Sequence, residues 1–276
     1  AALGDYVWED LNYNGLQDSG EPGIPNVTVE LLDPSDNVLG TTTTDKDGLY
    51  AFTSLTPGSY KVKFDTPTGY HPTFSNVGGN DEIDSDSVGG VTGVYTLVAG
   101  QVDETIDAGF FRFCALGNFA WEDLNYNGLQ DPDEPGIPNV TVQLLDANGN
   151  LLGTTTTDSK GLYGFKDLTP GTYKVKFDTP AGYNTTLSNV GDDDEIDSDP
   201  VGGVTGNYTL VSGQVDDSID AGFFRFCALG DFVWEDLNRN GQQDSGEPGI
   251  AGVKAELLNA ANTVLASTTT NSQGLY

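Results

Sequence analysis

The sequence predicts an all-β protein that consists of β-sandwich domains in tandem. A unit of 113 residues occurs twice in tandem and is followed by the first part of a third copy, so that Trp8 recurs as Trp121 and Trp234. Each unit divides into short segments in which apolar and polar residues alternate, and turn residues bound these segments, as is typical of sandwiches. No window keeps a helical period long enough to predict a helix.

The length of the unit sets the predicted domain organisation. A period of 113 residues is far above the roughly 20–50 residues of solenoid repeats and close to the commonest size of a whole domain. We therefore predict complete domains over 1–114 and 115–227, and the N-terminal part of a truncated third over 228–276. Completion of the third unit by another chain is the alternative, because half a sandwich leaves strand edges uncovered.

The first half of the unit contains four predicted strands, each with its own pattern. An apolar segment over 3–8 precedes an acidic loop, and over 27–31 apolar and polar residues alternate, which gives one buried and one exposed face. The segment 38–44 ends in four threonines, which favour extended backbone. A hairpin turn at 45–48 then leads into the fourth segment, 49–52.

The second half of the unit supplies three more strands. Apolar residues alternate with two lysines over 60–64, and the segments 94–98 and 106–113 give the last two strands. Only residues 114–115 separate the final strand from the next unit. A linker that short holds neighbouring domains end to end, so we predict a stiff or semi-stiff rod.

Acidic residues dominate the charged composition. The chain has 42 Asp and Glu against 11 Lys and Arg, a formal net charge of −31. This charge excludes nucleic acid and anionic membranes as partners, because both carry the same sign. No apolar run is long enough for membrane insertion, so the chain is expected to be soluble as given. Much of the acid is clustered in two loops per unit, which favours a bound divalent cation.

Each complete unit carries one cysteine, Cys114 in the first and Cys227 in the second. A disulfide within a unit is therefore impossible. Domains stacked in line would also hold the two cysteines well beyond the Cα separation of roughly 7 Å that a disulfide allows. Free thiols and bonds between chains both remain open.

Every unit contains a loop with the spacing D-x-N-x-N-G-x-x-D-x-x-E. Calcium takes about six to eight oxygen ligands, and such a loop provides them at positions 1, 3, 5, 7, 9 and 12, with glycine at the sharp bend. A strand precedes the loop and Pro22 follows it, so helices do not flank it and a structural role is favoured over a sensing one. An Asx-rich surface turn is the alternative. The predicted ligands are Asp10, Asn12, Asn14, Leu16, Asp18 and Glu21; Asp123, Asn125, Asn127, Leu129, Asp131 and Glu134; and Asp236, Asn238, Asn240, Gln242, Asp244 and Glu247.

A second acidic cluster follows later in each complete unit. Carboxylates two or three residues apart in a Gly-rich loop could wrap another calcium ion, with one more carboxylate reaching in from the last strand. No known spacing rule supports this site, so a solvated acidic loop is the alternative. Together the two clusters predict about two to three calcium ions per complete unit. The candidate ligands are Asp81, Asp84, Asp86 and Asp107 in the first unit, and Asp194, Asp197, Asp199 and Asp220 in the second.

The sequence offers little for catalysis. His71 is the only histidine and its counterpart is Asn184, so no Ser-His-Asp or Cys-His arrangement repeats. We therefore predict a structural protein rather than an enzyme. A module that binds protein or glycan through its loops is the second hypothesis.

Several motifs together resemble the B-repeat domains of serine-aspartate-repeat bacterial surface proteins. The motifs are the run over 3–10, the acidic loop with Pro22, Gly23 and Ile24 after it, and the segments 43–52, 55–60 and 106–110. The resemblance covers both complete units and the part of the third that is present. It implies a Cna B-type (immunoglobulin/prealbumin-like) sandwich of about seven strands, with several calcium ions per domain.

The resemblance also implies a place outside the cell, on the surface or secreted. There the repeats would form the rigid stalk of an adhesin or an extracellular filament. It assigns the first ion to the carboxylates and amides of the loop. Some related sandwiches are locked by a lysine–asparagine isopeptide bond, but the first predicted strand here has no lysine and the last has no asparagine. The implied partners are calcium, other copies of the chain in a fibre, and a host or cell-surface ligand bound through regions outside this chain.

Overall fold

The computed structural model describes residues 1–276, which form short β-strands and no helix. The all-β prediction is confirmed. The chain divides into two compact units, 1–225 and 226–276, and the first unit contains both complete repeats. No helix in the structure is long and apolar enough to cross a membrane.

Nine strands form the first repeat, in three sheets. The largest sheet has the order β4-β3-β5-β7, a second has the order β2-β9-β6, and β1 pairs with β8. The strands are β1 (Ala2–Leu3), β2 (Val7–Glu9), β3 (Thr28–Leu32), β4 (Val38–Thr43), β5 (Gly58–Phe64), β6 (His71–Pro72), β7 (Tyr95–Leu97), β8 (Val102–Asp103) and β9 (Ala108–Phe111).

The second repeat reproduces this arrangement. Its sheets have the orders β13-β12-β15-β17, β11-β19-β16 and β14-β10-β18. The strands are β10 (Cys114–Leu116), β11 (Ala120–Glu122), β12 (Thr141–Asp146), β13 (Leu151–Thr156), β14 (Phe165–Leu168), β15 (Gly171–Phe177), β16 (Asn184–Thr185), β17 (Tyr208–Leu210), β18 (Val215–Asp216) and β19 (Ala221–Phe224). In the unit 226–276, β20 (Lys254–Leu258) and β21 (Val264–Thr269) form one antiparallel hairpin.

The second and last strands of each complete repeat lie side by side in parallel. Val7 of β2 pairs with Ala108 of β9, and Ala120 of β11 pairs with Ala221 of β19. Parallel neighbours need a long crossover between them, and here the crossover is almost the whole repeat. The pairing therefore joins the two ends of each domain.

Each complete repeat has its own apolar core between its sheets. The alternation predicted over 60–64 is observed in β5, where Tyr60, Val62 and Phe64 are buried and the lysines between them are only half-buried. Trp8 and its counterpart Trp121 are fully buried. The two cores are separate clusters, so each repeat is stabilised by its own apolar residues.

Two strand predictions differ from the structure. The segment 3–8 is divided into β1 and β2, which pair with different strands, β8 and β9. Gly4 lies between them, where a side chain would meet the carbonyl oxygen of Tyr50 at 2.3 Å. The segment 49–52 of the first repeat forms only isolated bridges, from Leu49 and Phe52. In the second repeat, in contrast, the strand β14 begins at Phe165, the last residue of the corresponding segment.

The junction between the repeats is a strand rather than a simple linker. Cys114, the last residue of the first domain by the sequence prediction, lies in β10 and packs in the core of the second repeat. Both cysteines are free thiols; Cys114 is buried and Cys227 is exposed. The division of the chain at 114 and 227 itself stays a prediction.

Candidate metal centres

The acidic loop of the first repeat is organised around the side chain of Asp10, which lies directly after β2 and is fully buried. Asp10 Oδ1 accepts hydrogen bonds from the backbone N–H groups of Tyr13 and Asn14, and Oδ2 accepts one from Gly15 at 2.8 Å. Gly15 has a φ of 79°, the left-handed conformation that the sharp bend of the loop requires. The chain therefore wraps closely around one carboxylate.

The other predicted side-chain ligands of this loop converge with it. The amide groups of Asn12 and Asn14 both donate to Asp18 Oδ2, at 2.8 and 2.7 Å. Glu21 closes the loop: its Oε1 accepts from the Leu11 N–H at 2.7 Å and its Oε2 from the Asp18 N–H at 2.9 Å. Each amide also has an oxygen that an ion could use. The loop thus brings together carboxylate and amide oxygens, the ligand set that calcium prefers.

The loop has the same geometry in all three copies. In the second copy the amides of Asn125 and Asn127 donate to Asp131 Oδ2 at 2.7 and 2.9 Å. In the third copy the amides of Asn238 and Asn240 donate to Asp244 Oδ2, both at 2.7 Å. The remaining loop ligands, Asp123, Glu134, Asp236 and Glu247, accept backbone N–H groups as their first-copy counterparts do.

The residue at position 7 of the loop is held in place by a hydrogen bond from its backbone N–H group. The N–H of Leu16 donates to the side-chain oxygen of Asn14 at 2.7 Å, and Leu129 and Gln242 do the same in the other copies. Leu16 also forms a bridge with Asp84, and Gln17 donates to the Ile83 carbonyl at 2.6 Å. The first loop and the second acidic cluster are therefore neighbours in the fold.

The second cluster also comes together. Side-chain oxygens of Asp81, Asp84 and Asp86 lie within 4.8 Å of one another. Asp107 sits beside them, because its backbone N–H donates to Asp86 Oδ2 at 2.6 Å. The corresponding group in the second repeat consists of Asp194, Asp197 and Asp199, with Asp220 beside Asp199.

The residues of the second cluster fit a cation by an observation separate from their clustering. Asp84 Oδ1 and Asp107 Oδ2 are buried and have no hydrogen-bond partner, and the same is true of Asp197 Oδ1. A buried carboxylate oxygen without a partner is costly, and a bound cation removes that cost. A merely solvated acidic loop would leave these oxygens in contact with water.

The electrostatics of this cluster also favour a positive charge. The pKa of Asp86 is raised to about 6 and that of Asp107 to about 9, mainly by burial, with a smaller contribution in the same direction from neighbouring carboxylates. In the second repeat burial raises the pKa of Asp199 to about 6 and that of Asp220 to about 8. Without a cation these groups hold protons at pH values where free carboxyls have lost them.

Sequence reasoning missed the residues that support these carboxylates. The hydroxyl of Thr73 donates to Asp10 Oδ2, and Tyr95 donates to Asp86 Oδ1 at 2.6 Å. Thr186 and Tyr208 make the same contacts in the second repeat. A threonine or tyrosine gives no local signal of such a role, since nothing in the neighbouring sequence marks its partner, which lies 63 positions away for Thr73 and nine for Tyr95. Only its recurrence in both repeats could have drawn attention to it.

Comparison with known proteins identifies the family. The model of the SdrD B-like domain matches residues 1–110, 114–223 and 227–276. Serine-aspartate repeat-containing protein D of Staphylococcus aureus strain MW2 is 47% identical over 281 residues, which covers 99% of this chain and 20% of that protein. Serine-aspartate repeat-containing protein F of Staphylococcus epidermidis is 44% identical over 277 residues, covering 99% of this chain and 16% of that protein. The chain thus spans a fifth or less of the length of these relatives.

Solved structures are only distantly similar. The TIE protein of Bacillus anthracis has 15% identity and a TM-score of 0.35, with all of this chain and 42% of that chain covered. GBS52, the minor pilin of Streptococcus agalactiae, has 13% identity and a TM-score of 0.31, with 83% of this chain and 97% of that chain covered. The family match, in contrast, extends over nearly the whole sequence, and the chain therefore belongs to the family of SdrD B-like domains.

Proposed function

We propose that these repeats are calcium-stabilised structural domains that form a rigid stalk or extracellular filament of a bacterial surface protein. The observation that carries the proposal is the recurrence of one loop geometry, with converging carboxylate and amide oxygens, in three copies. The second acidic cluster, in which two of the three carboxylates are buried, adds a second site in each complete repeat. The predicted site residues thus supply oxygens for about two to three ions per complete repeat.

Metal binding would act on the fold by neutralising charge that otherwise opposes it. Residues 3–115 carry 18 acids and 4 bases, a net charge of −14. Like charges at this density repel one another, and two or three divalent cations would cancel a large part of that repulsion. The bound ions would also fix the loop that follows β2. Both effects make a domain stiffer, which suits a spacer and does not require a reactive centre.

We expect the shape of the chain to depend on calcium. Small-angle X-ray scattering should show a long, narrow particle in saturating calcium and a broader, shorter distribution of distances in chelator. Sodium chloride at the same ionic strength is the control, because it screens exposed charges without occupying the oxygen sites. A compact or strongly bent particle in saturating calcium would contradict the stalk and favour a binding module.

We expect calcium binding to release protons near pH 7. At that pH the raised pKa values leave Asp107 and Asp220 mostly protonated, and a metal ion needs their deprotonated forms. About one proton should leave each complete repeat. Calcium affinity should therefore rise with pH until both groups have lost their protons, between about 6 and about 10.

Calorimetric titration in two buffers of different ionisation enthalpy measures this proton release. The apparent binding enthalpy should differ between the buffers at pH 7 and agree at pH 10. In Asp107→Asn the released proton of the first repeat should be lost while that of the second remains. Identical enthalpies in the two buffers at pH 7 would show that Asp107 and Asp220 do not take part in calcium binding.

A further inference from the structure

A buried carboxylate lies at the contact between the two complete repeats. Glu9, at the end of β2, is only 5% exposed. Its Oε1 accepts hydrogen bonds from Nε and a terminal nitrogen of Arg112, at 3.0 and 2.9 Å, and its Oε2 accepts one from the hydroxyl of Tyr70 at 3.1 Å. All three residues belong to the first repeat. A further donor, the hydroxyl of Ser212 at 2.6 Å from Oε1, comes from the second repeat.

The backbone around Ser212 continues this contact. The Ser212 hydroxyl accepts from the Arg112 N–H at 2.8 Å, and the Ser212 N–H donates to the carbonyl of Leu11 at 3.0 Å. The neighbouring Gly213 N–H donates to the Arg112 carbonyl at 3.1 Å. One short turn of the second repeat is thus held by the first repeat through both its side chain and its backbone.

The Glu–Arg–Tyr group that accepts the Ser212 hydroxyl occurs in both complete repeats. In the second repeat, Glu122 Oε1 accepts a hydrogen bond from Nε of Arg225 at 2.7 Å and forms an ion pair with a terminal nitrogen of the same guanidinium, also at 2.7 Å. Its Oε2 accepts a hydrogen bond from the hydroxyl of Tyr183 at 3.1 Å. Each arginine also lies over the ring of the corresponding tyrosine, at 5.4 Å in the first repeat and 5.3 Å in the second. The Glu–Arg–Tyr group therefore has the same form with and without a hydroxyl from another repeat, which means that it is preformed.

The turn that carries Ser212, in contrast, differs from the corresponding turn of the first repeat. The counterpart of Ser212 in the first repeat is Ala99, which has no hydroxyl. A side chain at Gly213 would meet guanidinium atoms of Arg112 at 2.7–3.0 Å, whereas one at the counterpart Gly100 would meet nothing within 4 Å. The turn of the second repeat is therefore fitted to a preceding repeat by both a hydroxyl and a glycine.

We propose that Glu9, Tyr70 and Arg112 form a docking site for the repeat that follows, and that the Ser212 hydroxyl is the element this site recognises. The partner is a repeat of the same kind with a small hydroxyl residue, next to glycine, at the position of Ser212. The equivalent site at Glu122, Tyr183 and Arg225 accepts the same element. Ser212 is a positioning residue, since it fixes one repeat on the other, and the proposal does not rest on metal binding.

Hydrogen exchange of the full chain, followed by NMR, tests this docking directly. The amide protons at positions 212 and 213 donate only across the junction. In Ser212→Ala and in Glu9→Gln they should exchange about tenfold faster or more, because a hydrogen bond to a charged acceptor is lost or weakened. The amides of Val62 and Val175, inside the two cores, should keep their rates, which separates loosening of the junction from unfolding of a repeat.

Two matched variants complete the experiment. Glu122→Gln alters the corresponding contacts with arginine and tyrosine in the second repeat, but Glu122 is not the group that accepts the Ser212 hydroxyl. The exchange rates at positions 212 and 213 should therefore stay unchanged. Ala99→Ser adds a hydroxyl to the first repeat and should also leave them unchanged. The proposal is overturned if Glu122→Gln raises these rates as much as Glu9→Gln does. It is equally overturned if positions 212 and 213 exchange as fast as positions 99 and 100 in the unmodified protein.

Discussion

Removal of calcium is expected to lower the midpoint of thermal unfolding by about 10 °C or more. An ion that binds only the native state stabilises it by about 4 kcal/mol at 1,000 times its dissociation constant. For a domain of this size, each kcal/mol shifts the midpoint by roughly 2–8 °C. Several sites per repeat would add to one another, and chelation would also restore the repulsion among the clustered carboxylates.

Calorimetric scans in calcium and in chelator measure this shift. Magnesium at the same concentration is the control, because it requires a smaller, near-octahedral site and loses its water reluctantly. Magnesium should recover only a small part of the stabilisation. Equal midpoints in calcium and in chelator would contradict the proposal that calcium stabilises these repeats.

Glu21→Gln is expected to weaken calcium binding by the first loop about 100-fold or more, which corresponds to about 2.7 kcal/mol. Glu21 is at position 12 of the loop, where calcium loops of this spacing use a glutamate that offers both carboxylate oxygens to the ion. Its carboxylate also closes the loop through Leu11 and Asp18. The substitution keeps the size of the side chain but removes its charge and one acceptor oxygen. Calorimetric titration should therefore lose one strong site.

Two control variants separate the ligand role from general effects. Ser19→Ala lies in the same loop at an exposed position, and Asp47→Asn removes one charge from an exposed turn where the second repeat has Lys160. Both variants should bind calcium as the unmodified protein does. If Glu21→Gln also bound normally, the loop would be an ordinary acidic turn.

The sequence could predict the first loop because the loop is local. Its ligands lie within twelve consecutive residues, so the spacing alone brings Asp10, Asn14 and Glu21 to one place. The family resemblance derived from the sequence is confirmed by the match of all three copies. Most strands were also predictable, since an alternating pattern such as that of β5 directly reports one buried face.

The parts that could not be predicted depend on contacts between distant residues. The pairing that places Asp107 beside Asp86 joins positions 21 residues apart, and Thr73 reaches Asp10 across 63 positions. The break between β1 and β2 accompanies a change of partner, since β1 pairs with β8 and β2 with β9. The contact of Glu9 with Ser212 spans 203 positions and two repeats. No local pattern carries such information.

The parallel pairing of β2 with β9 has a consequence under mechanical load. A force that stretches a repeat pulls β2 from its N-terminal end and β9 from its C-terminal end. Since the two strands run in the same direction, these ends lie at opposite edges of the pair, and the force acts along the strands. The hydrogen bonds between them are then sheared together rather than opened one after another. The rate of forced unfolding depends on the activation barrier to unfolding. This geometry raises that barrier for a force applied between the two ends of a repeat.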